Sequence, residues 1–109
     1  MLHKMRLYER PFENIKNGTK TVEFRLNDEK RQKIQIGDEI EFTKLPNSDE
    51  TLKVRVLDLY HARNFKDLFT QLYDDIKEIE RKTESMYSIY TKEEETKYGA
   101  LGIKIELLK

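Results

Sequence analysis

The spacing of apolar residues changes from two to about 3.6 along this chain and returns to two at its end. Apolar residues alternate with polar ones in 20–26 and 52–56, and again in 101–107. Between these segments lies a stretch with the spacing of one helix face, Phe65, Leu68, Phe69 and Leu72. The last strand must pair with strands distant in the sequence. The pattern therefore predicts a small mixed barrel with helices inserted before its last strand.

Local signals place the remaining elements. Met5 and Leu7 predict an opening strand, and Pro11 predicts a short helix that ends at Asn17-Gly18. The polar segment 46–50 predicts a hairpin loop between two strands.

The helical insertion has its own start signals. Asn64 is placed to cap the first helix, and Thr91 with Glu94 matches a capping box for the last. A middle helix over 75–86 is predicted to turn Ile76 and Ile79 inward. The fold class predicted is α+β, with a short N-terminal helix and a helical insertion around a barrel.

Length and composition limit the function classes. The 109 residues predict a single domain over 1–109. Acidic and basic residues balance at 21 each, so net charge gives no argument for nucleic acid. The chain has no cysteine, and its two histidines lie far apart, so neither a metal site nor a cofactor is expected. No apolar segment is long enough for a membrane span, and a cytoplasmic location is expected.

Two motifs resemble a known family. The segment Gly18-Thr19-Lys20-Thr21-Val22-Glu23-Phe24-Arg25 matches G-x-K-x-x-E-x-R, and Gly37-Asp38-Glu39-Ile40-Glu41-Phe42 matches G-D-x-I-x-F. Their order and spacing resemble the ASCH (activating signal cointegrator homology) domain. The ending from Tyr98 to Ile103 is similar to the final strand entry of that family.

The resemblance implies a PUA-like barrel that binds RNA, a nucleoside or a nucleotide in a groove beside the motif strand. Some relatives are amidohydrolases whose motif has a threonine nucleophile at the position of Glu23. Lys20 matches the lysine of that motif, and Thr21 matches its first threonine, which is not the nucleophile. The amidohydrolase activity therefore does not follow from the motif.

Alternation places Glu23 and Arg25 on the solvent side of their strand, with Lys20 at its start. Lys20 and Arg25 would then contact phosphate, and Glu23 would read a base or orient the cations. The alternative is an ordinary surface ion pair.

Other candidates extend this site. Thr21 adds a hydroxyl, Arg31 would extend a phosphate-contacting rim, and Tyr90 is favoured among the six tyrosines for stacking on a base. Arg31 could equally be part of a solvated loop, and Tyr90 could simply cap the core.

Three functions remain open. The first is an RNA- or nucleotide-binding module. The second is a small enzyme on RNA or modified nucleosides, with Lys20 and Glu23 as its catalytic pair. The third is a protein-interaction domain, which exposure of Ile79, Met86 or Ile89 would favour.

Overall fold

The computed structural model describes residues 1–109 and contains five strands, four helices and one 3₁₀ turn. The strands are β1 (Leu2–Tyr8), β2 (Val22–Leu26), β3 (Glu39–Leu45), β4 (Thr51–Ala62) and β5 (Ala100–Leu107). The helices are α1 (Glu9–Lys16), α2 (Phe65–Leu72), α3 (Ile76–Tyr87) and α4 (Lys92–Tyr98), and the 3₁₀ turn is Arg31–Lys33. The predicted α+β class, with a helix after the first strand and a helical insertion before the last, is confirmed.

The strands form one sheet in the order β1-β3-β4-β5-β2. β1 runs parallel to β3, whereas β3 and β4 are antiparallel, with Ile40 opposite Val54 and Phe42 opposite Leu52. The polar segment 46–50 joins β3 and β4, as its composition predicted. The mixed parallel and antiparallel pairing of the predicted mixed barrel is thus present, and β1 and β2 are the strands at the two ends of the sheet.

The residues group into two compact units. The first comprises Met1–Glu23, Ile34–Leu59 and Ile103–Lys109, and the second comprises Phe24–Lys33 and Tyr60–Gly102. Strands β2, β4 and β5 each contribute residues to both units.

The first unit has an apolar core supplied by strands and by α1. Alternate residues of β1 are buried, and one face of α1 is buried with them. The buried side chains that these elements and the neighbouring strands share are Met5, Leu7, Phe12, Ile15, Ile40, Phe42, Val54, Val56, Ile103 and Ile105. Burying about ten such side chains contributes roughly 1.5–3 kcal/mol each before entropy is counted.

The second unit has a core around α2. Phe65, Leu68 and Phe69 are at most 1% exposed, and Leu26, Ile79, Met86 and Ala100 pack with them. Asn64 caps α2 by accepting the N–H of Asp67 at 2.7 Å, and the capping box of Thr91 and Glu94 is present at α4. The predicted cap at Asn64 and the predicted capping box at Thr91 and Glu94 are therefore confirmed.

The prediction that Ile76 and Ile79 of α3 both face inward was wrong for one of the two residues. Ile79 is buried, but Ile76, the first residue of the helix, is 71% exposed. Met86 is buried and Ile89 is 66% exposed. Two of the three residues whose exposure would favour a protein-contact surface are therefore part of the core.

The longest helix, α3, has 12 residues. None of the helices combines the length and the apolar character that crossing a membrane requires.

Candidate functional site

The chain reaches the motif strand through a tight reversal after α1. Asn17 caps the helix C-terminus, and Gly18 follows with φ of 86°. Residues that carry a Cβ rarely adopt this backbone conformation. The N–H of Lys20 then donates to the carbonyl of Asn14 at 3.0 Å. The reversal places Lys20 next to the end of α1.

A second hydrogen bond fixes the entry into β2. The N–H of Ile105 in β5 donates to the carbonyl of Thr21 at 2.9 Å, so the backbone of Thr21 is held while its side chain stays exposed. Lys20 and Glu23 therefore lie on either side of a backbone position anchored to the sheet.

Glu23 is buried, which corrects the prediction that it lies on the solvent side of its strand. The residue is 4% exposed, and its Oε1 lies 3.1 Å from Nζ of Lys20, whose side chain is 26% exposed. Alternation failed because both faces of β2 are covered to some degree. Glu23 and Leu26 are buried, while Val22, Phe24 and Arg25 are partly buried.

The arrangement of Lys20 and Glu23 defines what this part of the site can do. A carboxylate withdrawn from water requires a cation or hydrogen-bond donors, and Lys20 provides a charged donor. An ammonium group carries three donors, so it can serve a carboxylate and a ligand oxygen at the same time. A ligand approaching the exposed quarter of Lys20 would meet a hydrogen-bond donor whose charge is balanced by Glu23.

Arg25 and Arg31 belong to the second unit. Arg25 lies in β2 and is partly buried. Arg31 is held by Asp28: Nη1 of Arg31 lies 3.0 Å from Oδ2, and its backbone N–H donates to Oδ1 at 3.1 Å. The side chain proposed as a phosphate-contacting rim is therefore engaged with a carboxylate three residues earlier.

The same segment contains two buried polar atoms without a hydrogen-bond partner, Nε of Arg31 and Oδ1 of Asn27. One is a donor and the other an acceptor.

Tyr90 is partly buried in the second unit. Its ring is stacked on Phe65, with 5.8 Å between ring centroids and 12° between ring planes. Its backbone N–H donates to the carbonyl of Met86 at 2.9 Å, which ties it to the end of α3. One face of the ring is thus supported by the core, as a stacking residue requires.

Comparison with known proteins identifies the family. The family model described as "ASCH domain" matches residues 5–109. The chain belongs to the ASCH domain family. The resemblance found in the two sequence motifs is therefore confirmed across nearly the whole chain. A search of the curated proteins gave no match.

Solved structures resemble this ASCH domain closely. The hypothetical protein PH0355, known from a crystal structure, is 34% identical with a TM-score of 0.84, over 99% of this chain and 100% of its own. Protein PF0455 from Pyrococcus furiosus, solved by NMR, is 35% identical with a TM-score of 0.74, over 100% of this chain and 99% of its own.

A more distant structure shares the fold alone. ZmASCH from Zymomonas mobilis, crystallised as a serine-to-alanine mutant, is 13% identical with a TM-score of 0.61, over 96% of this chain and 67% of its own. Together these likenesses confirm the predicted small PUA-like fold.

Sequence reasoning missed a buried carboxylate in this ASCH domain. Glu95 is 6% exposed, although the acidic run Glu93-Glu94-Glu95 in the first turn of α4 is typical of solvated charge at a helix start. Its Oε2 accepts the N–H of Phe65 at 2.8 Å, and its Oε1 accepts the hydroxyl of Tyr87 at 2.8 Å. Burial and this hydrogen bond to Glu95 raise the pKa of Tyr87. Helical periodicity could have indicated the burial of Glu95. It lies three residues before the partly buried Tyr98, and residues three apart share one face of a helix.

A second carboxylate pairing lies in the first unit. Oδ2 of Asp38, in the G-D motif, lies 2.8 Å from Nε2 of His3. The hydrogen bond to His3 and the N–H of Gln35 lower the pKa of Asp38 to about 2. No local pattern indicates this contact, because the two residues are 35 positions apart.

No group of three or more His, Cys, Asp or Glu side chains is placed to hold a metal ion.

Proposed function

We propose that this ASCH domain binds RNA or a nucleotide, with Lys20 and Glu23 at the centre of the contact beside β2. The observation that carries the proposal is the 3.1 Å contact between Nζ of Lys20 and the nearly buried carboxylate of Glu23. Membership of the ASCH family supports it, since these domains are generally associated with RNA.

The pairing revises the role of Lys20 within this proposal. A lysine with its charge balanced by a buried glutamate contributes directional hydrogen bonds more than long-range attraction for phosphate. Lys20 then donates to a carbonyl of the base or to a single phosphate oxygen. Glu23 orients the ammonium group. Arg25, in the second unit, is proposed for a phosphate contact of its own.

Aromatic stacking is proposed as a separate contact within the second unit. Bases of single-stranded nucleic acid stack on aromatic rings, and each stacked base contributes about 1–3 kcal/mol. Tyr90 is proposed for this role because Phe65 supports one face of its ring.

A binding panel tests the proposal. Single-stranded RNA of 12 nucleotides, DNA of the same sequence, nucleosides and nucleotides are titrated against the wild type and Lys20→Ala. Lys4→Ala is the matched control, because Lys4 is an exposed lysine of the first unit. Loss of RNA or nucleotide binding in Lys20→Ala, with Lys4→Ala unchanged, is expected. Equal binding by both variants would remove the support for this site.

The same contact favours a second candidate, a small enzyme acting on RNA or a modified nucleoside. A lysine within 3.1 Å of a buried carboxylate is an arrangement that can transfer a proton. Incubating modified nucleosides and RNA with the wild type and Glu23→Gln, and analysing products by mass spectrometry, tests it. Product formed by the wild type and lost in Glu23→Gln would support the enzyme.

A further inference from the structure

The buried carboxylate of Glu95 joins two helix ends in the second unit. Its Oε2 accepts the N–H of Phe65, the first residue of α2, and its Oε1 accepts the hydroxyl of Tyr87, the last residue of α3. Glu95 itself lies in α4. One side chain therefore fixes the relative positions of three helices.

Tyr90 depends on both of the ends that Glu95 holds. Its ring is stacked on the ring of Phe65, and its backbone N–H donates to Met86, the neighbour of Tyr87 in α3. If the start of α2 moved relative to the end of α3, the support beneath the ring of Tyr90 and its backbone anchor would move apart.

Burying the carboxylate of Glu95 costs desolvation free energy, which its two hydrogen bonds have to compensate. A buried carboxylate is expensive unless hydrogen bonds compensate it, and here it accepts one backbone donor and one side-chain donor. The backbone donor is at the N-terminus of α2, where the helix dipole also favours a negative group. The exposed Glu93 and Glu94 of the same helix make neither of these contacts.

We infer that Glu95 is a positioning residue for nucleic-acid binding, which holds the ring of Tyr90 in its stacking orientation through Phe65 and Tyr87. The inference rests on the proposed function for its ligand, single-stranded RNA, but the arrangement of the ring can be tested without a ligand. Glu95 does not contact RNA itself.

The main test is a double-mutant cycle in RNA binding. Glu95→Ala is expected to weaken binding of the 12-nucleotide RNA about 5- to 10-fold, a substantial part of the contribution of one stacked base. In a Tyr90→Ala background the same change is expected to weaken binding less than 2-fold, because the ring that Glu95 positions is gone. An equal loss in both backgrounds would show a general structural role and overturn the inference.

Conservative variants keep the test informative if Glu95→Ala unfolds. In Glu95→Gln the amide oxygen can accept the N–H of Phe65 while its NH₂ donates to the oxygen of Tyr87, so affinity is expected to recover to within about 2-fold. Tyr87→Phe removes one of the two bonds and is expected to give an intermediate loss. Glu93→Ala is the matched control in the same helix, and thermal unfolding of each variant shows that it is folded at the assay temperature.

A ligand-free measurement separates this inference from the proposed function. With 3-fluorotyrosine at position 90, the ¹⁹F resonance is expected to shift or broaden in Glu95→Ala and Tyr87→Phe and to stay unchanged in Glu93→Ala. If the wild type binds no RNA but the resonance behaves as expected, the proposed function fails and the positioning of Tyr90 stands. An unchanged resonance in Glu95→Ala would refute the positioning role.

Discussion

Nζ of Lys20 lies 3.1 Å from Oε1 of Glu23, although the glutamate side chain is only 5% exposed and the lysine side chain 26%. Removing one partner therefore costs a different amount of free energy depending on which charge is left behind. The glutamate would be left as a carboxylate in a poorly hydrated environment, whereas the lysine could turn its ammonium group toward water.

This asymmetry predicts the stability of the single and double variants. Lys20→Ala is expected to lower the free energy of unfolding by about 1–3 kcal/mol, because a buried charge loses a partner. Lys20→Ala with Glu23→Gln is expected to recover at least about 1 kcal/mol, since the remaining amide is neutral. Urea unfolding of the four proteins in the cycle measures this. Strictly additive losses would show that the pair is not energetically coupled.

A side chain at Gly99, the residue that ends α4, is expected to destabilise the fold by steric overlap. Its φ is 77° and ψ is −176°, and a Cβ there would lie 2.9 Å from the carbonyl oxygen of Ala62. Gly99→Ala is therefore expected to cost about 2–4 kcal/mol, from backbone strain and the close approach together.

Gly37→Ala provides the matched control. Gly37 also has positive φ, at 94°, but nothing lies within 4 Å of a Cβ built on it. Its cost is expected to be about 1–2 kcal/mol, from backbone strain alone. Thermal unfolding of both variants tests the difference, and equal destabilisation would show that the carbonyl of Ala62 moves away without cost.

Much of the fold could be predicted because its signals are local. The cap at Asn64, the capping box at Thr91 and the alternation in 101–107 each depend on residues within one element. Ile76 was misassigned because the first residue of a helix can lie outside its apolar face. A solvated loop was one of the two predictions for Arg31, whereas the structure has a 3₁₀ turn over Arg31–Lys33 that the Asp28 side chain holds.

The site was less predictable because its properties depend on tertiary burial. The motif identified Lys20 and Glu23, but alternation assumes that one face of a strand is exposed, and the burial of Glu23 does not follow that rule. Glu95 was missed because the sequence does not distinguish it from its neighbours Glu93 and Glu94. Only its burial in the folded protein sets it apart. The motif thus gave the residues, whereas their environment had to come from the structure.

The ion pair of Arg31 predicts the salt dependence of RNA binding. With Lys20 and Arg31 both paired to carboxylates, few phosphate charges are neutralised by released cations, so a slope of log K against log salt of about −1 to −2 is expected. Asp28→Asn keeps an oxygen that can accept the N–H of Arg31 but removes the charge. If Arg31 then reaches a phosphate, the slope steepens by about one unit. Titrations at four salt concentrations measure it, and an unchanged slope would exclude Arg31 from the contact.

The contact between His3 and Asp38 predicts a dependence of stability on acid pH. The pKa of Asp38 is lowered from 3.8 to about 2, first by the hydrogen bond to His3 and then by the N–H of Gln35. Because the folded state holds this proton more weakly than the unfolded state, the stabilisation is fully present above about pH 5. It is lost as the pH falls through about 4 toward 2.

Asp38→Asn removes this titration. The wild type is expected to exceed Asp38→Asn in unfolding free energy at pH 6, and the difference is expected to shrink by about 1–2 kcal/mol by pH 2, with the smaller value if solvent screens the pair. Asp49→Asn, at an exposed carboxylate in the hairpin loop, is the control and should follow the wild type throughout. Urea unfolding at pH 6, 4, 3 and 2 gives the comparison. A constant difference between the wild type and Asp38→Asn over this range would mean that the carboxylate of Asp38 titrates alike in the folded and unfolded chains, and that its contact with His3 does not stabilise the fold.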